Sequence, residues 1–429
     1  MATGARNAGG IAGSALLALS ALSWTRPAAG QESAQIMIGP YLQAIRRHEA
    51  TIRWETATPT AGRLAWGRTP ECAYTVEDSH LGVRHEIRLT GLRAATRYWY
   101  RIAGAGASSE SIPFTTEGDR ASPLRIVVFG DTRTGHAAHG QVVAGAAASE
   151  ASLALHVGDL VQAPTEDSWR TFFAIEAPLA SRVPLYPVLG NHEGDGNRYL
   201  QLFTLPDEGS AHERYYSLRW GPVAVVALDT QQSVTPGDPQ FDWAEQTLAG
   251  LAADPDVLFI LGVLHHGPYC AASGHGSNLT VRAHLVPLFE QYGVDIVFSG
   301  HDHVYERSTV DGVKYVVTGG GGAPLHAAGW GWWTEVSAAR YEYCVLDIEG
   351  GALQFTAFEA GTGTVLDTFQ LTTRAGECAD DLGCSDLAPR ECPPGEVGQF
   401  RCAATTCVWS CSQVPTSTGL SRRLRRVGR

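Results

Sequence analysis

An apolar, β-branched run, Ile296-Val297-Phe298-Ser299, stops at Gly300 and is followed at once by His301-Asp302-His303. Side chains of an extended segment alternate between faces, so His301 and His303 can point the same way if that geometry continues past the glycine. Two neutral imidazoles aimed at one spot beyond a strand end suit a transition metal. A His-x-His pair alone is more often plain polar surface. Its weight here comes from repetition upstream. Leu124 to Phe129 ends at Gly130-Asp131, and Ala151 to Val157 at Gly158-Asp159. Leu185 to Leu189 ends at Gly190-Asn191-His192-Glu193, and Val257 to Leu264 runs into His265-His266. Open α/β sheets bind ligands beyond the carboxyl ends of their strands. Five such endings in ligand-type residues predict a metal centre.

The strands alternate with helix-prone stretches such as the alanine-rich Ala137 to Ala148, the signature of an α/β core over residues 123–373. Val223 to Leu228, Val313 to Thr318, Tyr341 to Asp347, Leu353 to Phe358 and Val365 to Leu371 add strands to it. The glycine run Gly319 to Gly322 reads either as a backbone able to approach a phosphate or as a plain loop. Ahead of the core, residues 36–117 carry period-two alternation in Ala50 to Glu55, Arg84 to Leu89 and Leu92 to Ile102, the pattern of a small β-sandwich. Its expected role is to pack against the α/β core.

The two ends read differently. Residues 1–30 look like a secretory signal, with Arg6 ahead of the apolar Ile11 to Trp24 and small residues Ala28-Ala29-Gly30 before the cleavage point. No later stretch reaches the ~20 apolar residues of a membrane helix, so the expected location is secreted or periplasmic. Export permits disulfides. Cys378, Cys384, Cys392, Cys402, Cys407 and Cys411 fall within 376–412, which reads as a small disulfide-rich module, and 413–429 as a basic disordered tail. Cys72, Cys270 and Cys344 are scattered. A formal charge of −12 argues against a nucleic-acid binder, which needs a basic face.

In order, the motifs Gly-Asp, Gly-Asp, Gly-Asn-His-Glu, His-His and Gly-His-Asp-His resemble those of the calcineurin-like metallophosphoesterases. Gly300-His301-Asp302-His303-Val304-Tyr305-Glu306-Arg307-Ser308 is especially similar to the purple acid phosphatase branch. The β-rich segment ahead of the core resembles the fibronectin type III-like domain found in that branch. The resemblance implies an α/β four-layer sandwich (α/β/β/α) preceded by an all-β fibronectin-like sandwich. It also implies two metal ions at the strand ends, of iron, zinc or manganese. Carried over, Asp159 bridges both ions, Asn191, His265 and His301 complete one site, and Asp131 and His303 hold the other. His266 is the alternative to His265 as ligand, and otherwise a substrate-side group. His192 corresponds to a histidine that contacts phosphate or protonates the leaving group. His275 resembles a second substrate-side histidine, with a solvated loop residue as the alternative.

Two departures bear on the first site. The branch places a tyrosine three residues after the bridging aspartate, where this chain has Gln162, and many relatives have Asp-x-His where it has Asp131-Thr132-Arg133. His136 or His139 could complete that site, or water could, or the site is weak. Arg133 is expected either to bind substrate phosphate or to pair with a carboxylate. The implied activity is hydrolysis of phosphomonoesters by hydroxide generated on the metal pair. The rival readings are a phosphodiesterase on the same site and a non-catalytic surface-binding protein. The implied partner is a small-molecule phosphate ester.

Overall fold

A computed structural model of the chain describes residues 35–104, 107–206, 213–373, 396–403 and 406–413. The expected signal segment, most of the cysteine module and nearly all of the basic tail lie outside them.

The first unit is a single bent antiparallel sheet. It comprises β1 (Ile36–Gln43), β2 (Glu49–Gly67), β3 (Tyr74–Thr90), β4 (Arg97–Gly104), β5 (Ala107–Ser108) and β6 (Ile112–Thr115). β3 lies along the length of β2, while β1 pairs with the start of β2 and β4 with its end. A register break between Glu55 and Thr60 marks the bend. Ile52, Trp54, Leu64, Ile87, Tyr100, Ile102 and Phe114 fill the interior. Sequence alternation predicts short strands here, but β2 and β3 run for 19 and 17 residues. The extra length is mostly solvent-exposed, so no hydrophobic pattern marks it.

The second unit begins with β7 (Leu124–Phe129), α1 (His136–Ala148), β8 (Leu153–His156), α2 (Glu166–Ala180), β9 (Leu185–Pro187) and α3 (Asn197–Leu202). It continues with β10 (Tyr216–Trp220), β11 (Val223–Ala227), α4 (Pro239–Ala253), β12 (Phe259–His266), α5 (Leu279–Gln291), β13 (Ile296–Gly300), β14 (Tyr305–Val310) and β15 (Val313–Thr318). β16 (Thr334–Ala338), β17 (Glu342–Glu349), β18 (Ala352–Glu359) and β19 (Val365–Thr372) close it. A backbone hairpin, β20 (Glu396–Ala403) with β21 (Thr406–Gln413), comes after it and falls within the expected cysteine module.

Two mixed sheets result, ordered β10-β11-β12-β13-β15-β14-β16 and β19-β18-β17-β7-β8-β9. Strand alternation explains why they stack. Leu261, Val263, Ile296, Phe298 and Val316 join Ile126, Val128, Leu346 and Phe355 in one core between the sheets. The intervening Ile260, Leu264, Val297 and Tyr315 face the other way, onto Phe241, Leu248, Leu285 and Phe289 of α4 and α5. Val142, Phe172 and Phe173 of α1 and α2 cover the outer face of the second sheet. Burial on both faces is what makes these strands read as continuous apolar runs. The layers are therefore helix, sheet, sheet, helix.

The two units are joined by directed bonds. The Tyr41 hydroxyl donates to the Leu202 carbonyl and that of Tyr100 to Ser181, at 2.5 and 2.7 Å. Arg198 holds both oxygens of Glu55 at 2.9 and 2.7 Å in a largely water-excluded pair. Such a bidentate pair fixes direction as well as contact.

The glycine run after β15 resolves in favour of packing. A Cβ on Gly319 would lie 2.2 Å from the Asp302 carbonyl oxygen, and one on Gly321 2.0 Å from that of Gly130. The Gly321 and Ala323 amides donate to Gly130 and Asp131 at 2.9 and 2.8 Å. The run thus locks two site loops together, backbone against backbone. Beneath it, Glu342 accepts from the Thr318 hydroxyl at 3.0 Å and the Gly320 amide at 3.3 Å. Burial raises this carboxyl from an ordinary 4.5 to about 8. The folded chain thus keeps a proton that the unfolded chain releases near 4.5. The stabilisation is complete below that pH and is lost progressively as pH rises toward about 8. Glu342→Gln, which cannot ionise, should flatten the pH dependence of Tm across this window. An unchanged slope in the variant's melting curves would refute the assignment.

Candidate metal centre

Every candidate ligand stands at a strand end or on the loop just after it. Asp131 follows β7, Asp159 follows β8, Asn191 and His192 open a 3-10 turn after β9, His265 and His266 end β12, and His301 and His303 follow β13. The chain turns sharply at these places. Asp131, Asp159 and His301 have φ of 56, 55 and 70°, a left-handed conformation that costs non-glycine residues energy. The neighbouring glycines make room. A Cβ on Gly300 would sit 2.1 Å from Asp131 Oδ2, and one on Gly190 2.3 Å from Asp159 Oδ1.

Two groups of ligand atoms converge, His265 with His266 and His301, and Asp131 with Asp159 and His303. Asp159 also reaches the first group, with Oδ1 3.4 Å from His265 Nε2. His265 Nδ1 donates to the Val157 carbonyl at 2.8 Å, which leaves its Nε2 as a lone pair. That lone pair faces Asn191 Oδ1 at 3.1 Å as well as Asp159. Burial drives the His265 imidazole well below its ordinary pKa and His301 down to about 2, so both are neutral. The His265 and Asn191 lone pairs thus face Asp159 Oδ1, which also accepts from the His192 amide at 3.0 Å, and a cation would satisfy all three acceptors. The donor set, imidazole nitrogen with amide and carboxylate oxygen, fits a borderline transition metal.

Around His303 the arrangement differs. Its Nδ1 donates to Pro324 O at 2.7 Å, so its Nε2 also accepts. Here, however, a donor is at hand, the Arg133 Nη2 at 3.2 Å. Arg133 Nε lies 3.3 Å from Asp159 Oδ2, and Nη1 donates to Gln162 Oε1 at 2.7 Å. Of the two expectations for Arg133, pairing with a carboxylate is the arrangement present.

His139 does not fill the short site. It is buried on α1 with Nε2 2.8 Å from Glu176 Oε1 and its ring stacked on Phe172. The helix periodicity that turns it toward α2 turns it away from the ligands. His136 starts the same helix, exposed, and joins neither ligand group.

His192 directs its ring by donating from Nδ1 to Gln162 O at 2.8 Å, and its Nε2 lies 3.8 Å from Asp159 Oδ2. His275 is exposed and stacks on His301 at 3.9 Å between centroids, which brings it to the rim of the site. Asp302 holds that loop by accepting from the His275 and Gly276 amides at 2.7 and 2.9 Å.

Three supporting groups lie outside the candidate site residues read from the sequence, and two of them, His326 and His156, fall in no motif. His326 stacks on His303 at 4.2 Å and pairs with Asp302 at 3.2 Å, yet it sits in an irregular loop far along the chain. His156 accepts from the Gly158 amide and contacts the Thr132 hydroxyl, both at 3.2 Å, tying two ligand loops. Glu193 ends the visible Gly-Asn-His-Glu motif and accepts from three buried amides, Gly190 at 2.7 Å, Asp159 at 3.1 Å and Val161 at 3.2 Å. Unmet buried donors cost ~1–3 kcal/mol each. Glu193→Ala should therefore lose on the order of 3 kcal/mol in denaturant unfolding and weaken metal retention, although Glu193 is not a ligand. Wild-type stability in the variant would contradict the role.

Residues 124–305 match the family model for calcineurin-like phosphoesterases. An uncharacterized protein of Mycobacterium tuberculosis is 28% identical over 335 residues, covering 65% of this chain and 63% of that one. Purple acid phosphatase 23 of Arabidopsis thaliana is 29% identical over 302 residues, 56% of this chain and 63% of the relative. The chain thus spans less than two thirds of the length of these relatives. Among solved structures, a purple acid phosphatase from yellow lupin (Lupinus luteus) seeds superposes with a TM-score of 0.68 at 21% identity, over 78% of this chain and 74% of that one. With the fold, the ordered motifs and these matches in agreement, residues 124–305 are similar to the calcineurin-like phosphoesterases, and purple acid phosphatases are among the chain's relatives.

Proposed function

We propose that the chain is an exported, metal-dependent phosphatase that hydrolyses phosphomonoesters. The observation that carries this reading is the convergence of His265 Nε2, Asn191 Oδ1 and Asp159 Oδ1, acceptors with no donor among them. Asp159, Asn191, His265, His301 and the adjacent His266 would hold one ion, and Asp131, His303 and the shared Asp159 provide a second position. A bound metal would supply Lewis-acid activation of water and of the phosphoryl oxygens. The chain's own residues supply the rest.

His192 is oriented by the Gln162 carbonyl, so its Nε2 is the free position and faces the metal cluster from a part-exposed site. From there it can contact a phosphoryl oxygen or deliver a proton to the departing alkoxide. His275, stacked on His301 and reached by solvent, is placed for the same proton on the leaving-group side. The apolar Ile11 to Trp24 and the cysteine-rich end support export, and the bent sheet at 36–115 fits a fibronectin-like domain serving as a packing partner.

The test is turnover of a chromogenic phosphomonoester and the matching diester after chelation, then after adding back zinc, manganese or iron. Restored monoesterase activity, absent in Asp159→Ala, is expected. Preference for the diester would move the assignment to a phosphodiesterase. A folded, metal-loaded protein without turnover on either would support a binding role instead. General acid catalysis is worth ~10²–10⁴ in rate. His192→Ala should therefore lower kcat by about that factor for an alkyl ester and by less for a nitrophenyl ester, whose leaving group needs little protonation. An equal loss on both esters would remove the proton-donor role.

A further inference from the structure

The two halves of the metal cluster are chemically unequal. Around His265 the converging atoms are all acceptors. Around His303 the same kind of lone pair, fixed by the Nδ1 bond to Pro324, is already met by a cation. Arg133 spans that half, with Nη2 3.2 Å from His303 Nε2 and Nε 3.3 Å from Asp159 Oδ2. Its third nitrogen is held by Gln162 at 2.7 Å, and its side chain is 15% exposed. Gln162 stands where the resemblance leads one to expect a tyrosine ligand. In this chain that position offers a neutral amide, and the amide anchors the guanidinium. Arg133 and Gln162 thus act as a pair.

From this geometry we infer that Arg133 is a built-in cation of the centre. It neutralises the Asp131–Asp159–His303 half, so the protein holds one ion tightly at the His265 half and takes up a second only when Arg133 is displaced. The inference rests on the metal-dependent reading above and deepens it. A divalent ion between Asp131 and His303 would share its ligands with a fixed guanidinium at contact distance. Like charges at that separation repel strongly in a water-poor site. The side chain has somewhere to go. A cavity of about 320 Å³ lies beside it, lined among others by Thr134, His136, Gln162 and Asp167. Asp167 there gives a displaced guanidinium a carboxylate to approach. The second half would then act as a conditional site, filled at high metal concentration.

Manganese titration of the chelated full-length protein tests this, with bound metal counted after dialysis and spin coupling read by electron paramagnetic resonance. Wild type should bind one ion per chain at low metal and show an isolated-ion spectrum. Arg133→Met, which keeps the bulk and removes the charge, should bind the second ion roughly tenfold or more tightly. It should also show the coupled spectrum of two ions bridged by Asp159. Gln162→Ala, at an exposed position, should shift the second affinity the same way by less. Two ions of comparable affinity in wild type would overturn the inference while leaving the metal reading intact. So would an Arg133→Met titration identical to wild type in a variant with an unchanged melting temperature. No bound ion in wild type would overturn the metal reading, and this inference with it.

Discussion

Acceptors crowded together without protons to share are the constraint on which the rest of the structure depends. His265 brings its lone pair to within 3.4 Å of both Asn191 and Asp159. His265 and Asp159 are buried, where crowding lone pairs together is costly, and the surrounding structure holds them there. The imidazole tautomers are fixed from behind by the Val157 and Pro324 carbonyls. The carboxylates sit on backbone bent into the left-handed region. Local strain of this kind persists only where neighbours over-determine it, and here those neighbours are Glu193, His156 and Glu342.

The glycines complete that frame. Gly130, Gly158, Gly190, Gly300, Gly319 and Gly321 each stand where a side chain would strike a candidate ligand or the loop that carries one. The loops after β7, β8, β9 and β13 therefore nest against one another and against the segment after β15 without intervening side chains. Rigid placement of first ligands by a second set of bonded groups is what a metal site requires. Here much of that second set is main chain. This also accounts for how residues as far apart in sequence as Asp131 and His303 can be held around one point.

Much of this was legible in the sequence because the central strands are buried on both faces. Ile296 to Gly300 and Leu124 to Phe129 read as unbroken apolar runs, and the polar residue after each break marks the site. Legibility fails where burial and hydropathy part company. β14 carries Glu306 and Arg307, both buried and both paired, the first with Trp333 and Thr334 and the second with Asp367 and Glu335. No hydropathy pattern marks such a strand. His326 and His156 escape notice for another reason. Each acts through a contact with a residue distant in sequence, and neither falls in a motif. His139, one of the candidates for the short site, lies away from it because proximity in sequence to Asp131 says nothing about which face of α1 it occupies.

The inequality of the two halves comes from the same logic of acceptors and donors. A centre of two buried carboxylates and several neutral imidazoles carries negative charge that some cation must balance. Metal ions can supply all of it, or the chain can supply part from a side chain that never deprotonates. Arginine at 133 takes the second course on one side only, because Gln162 and His303 both offer it acceptors there. Gln162, standing where the resemblance leads one to expect a tyrosine ligand, is then not simply a missing ligand. It changes which species belongs in that half of the centre, from a metal held by an anionic oxygen to a guanidinium held by a neutral one.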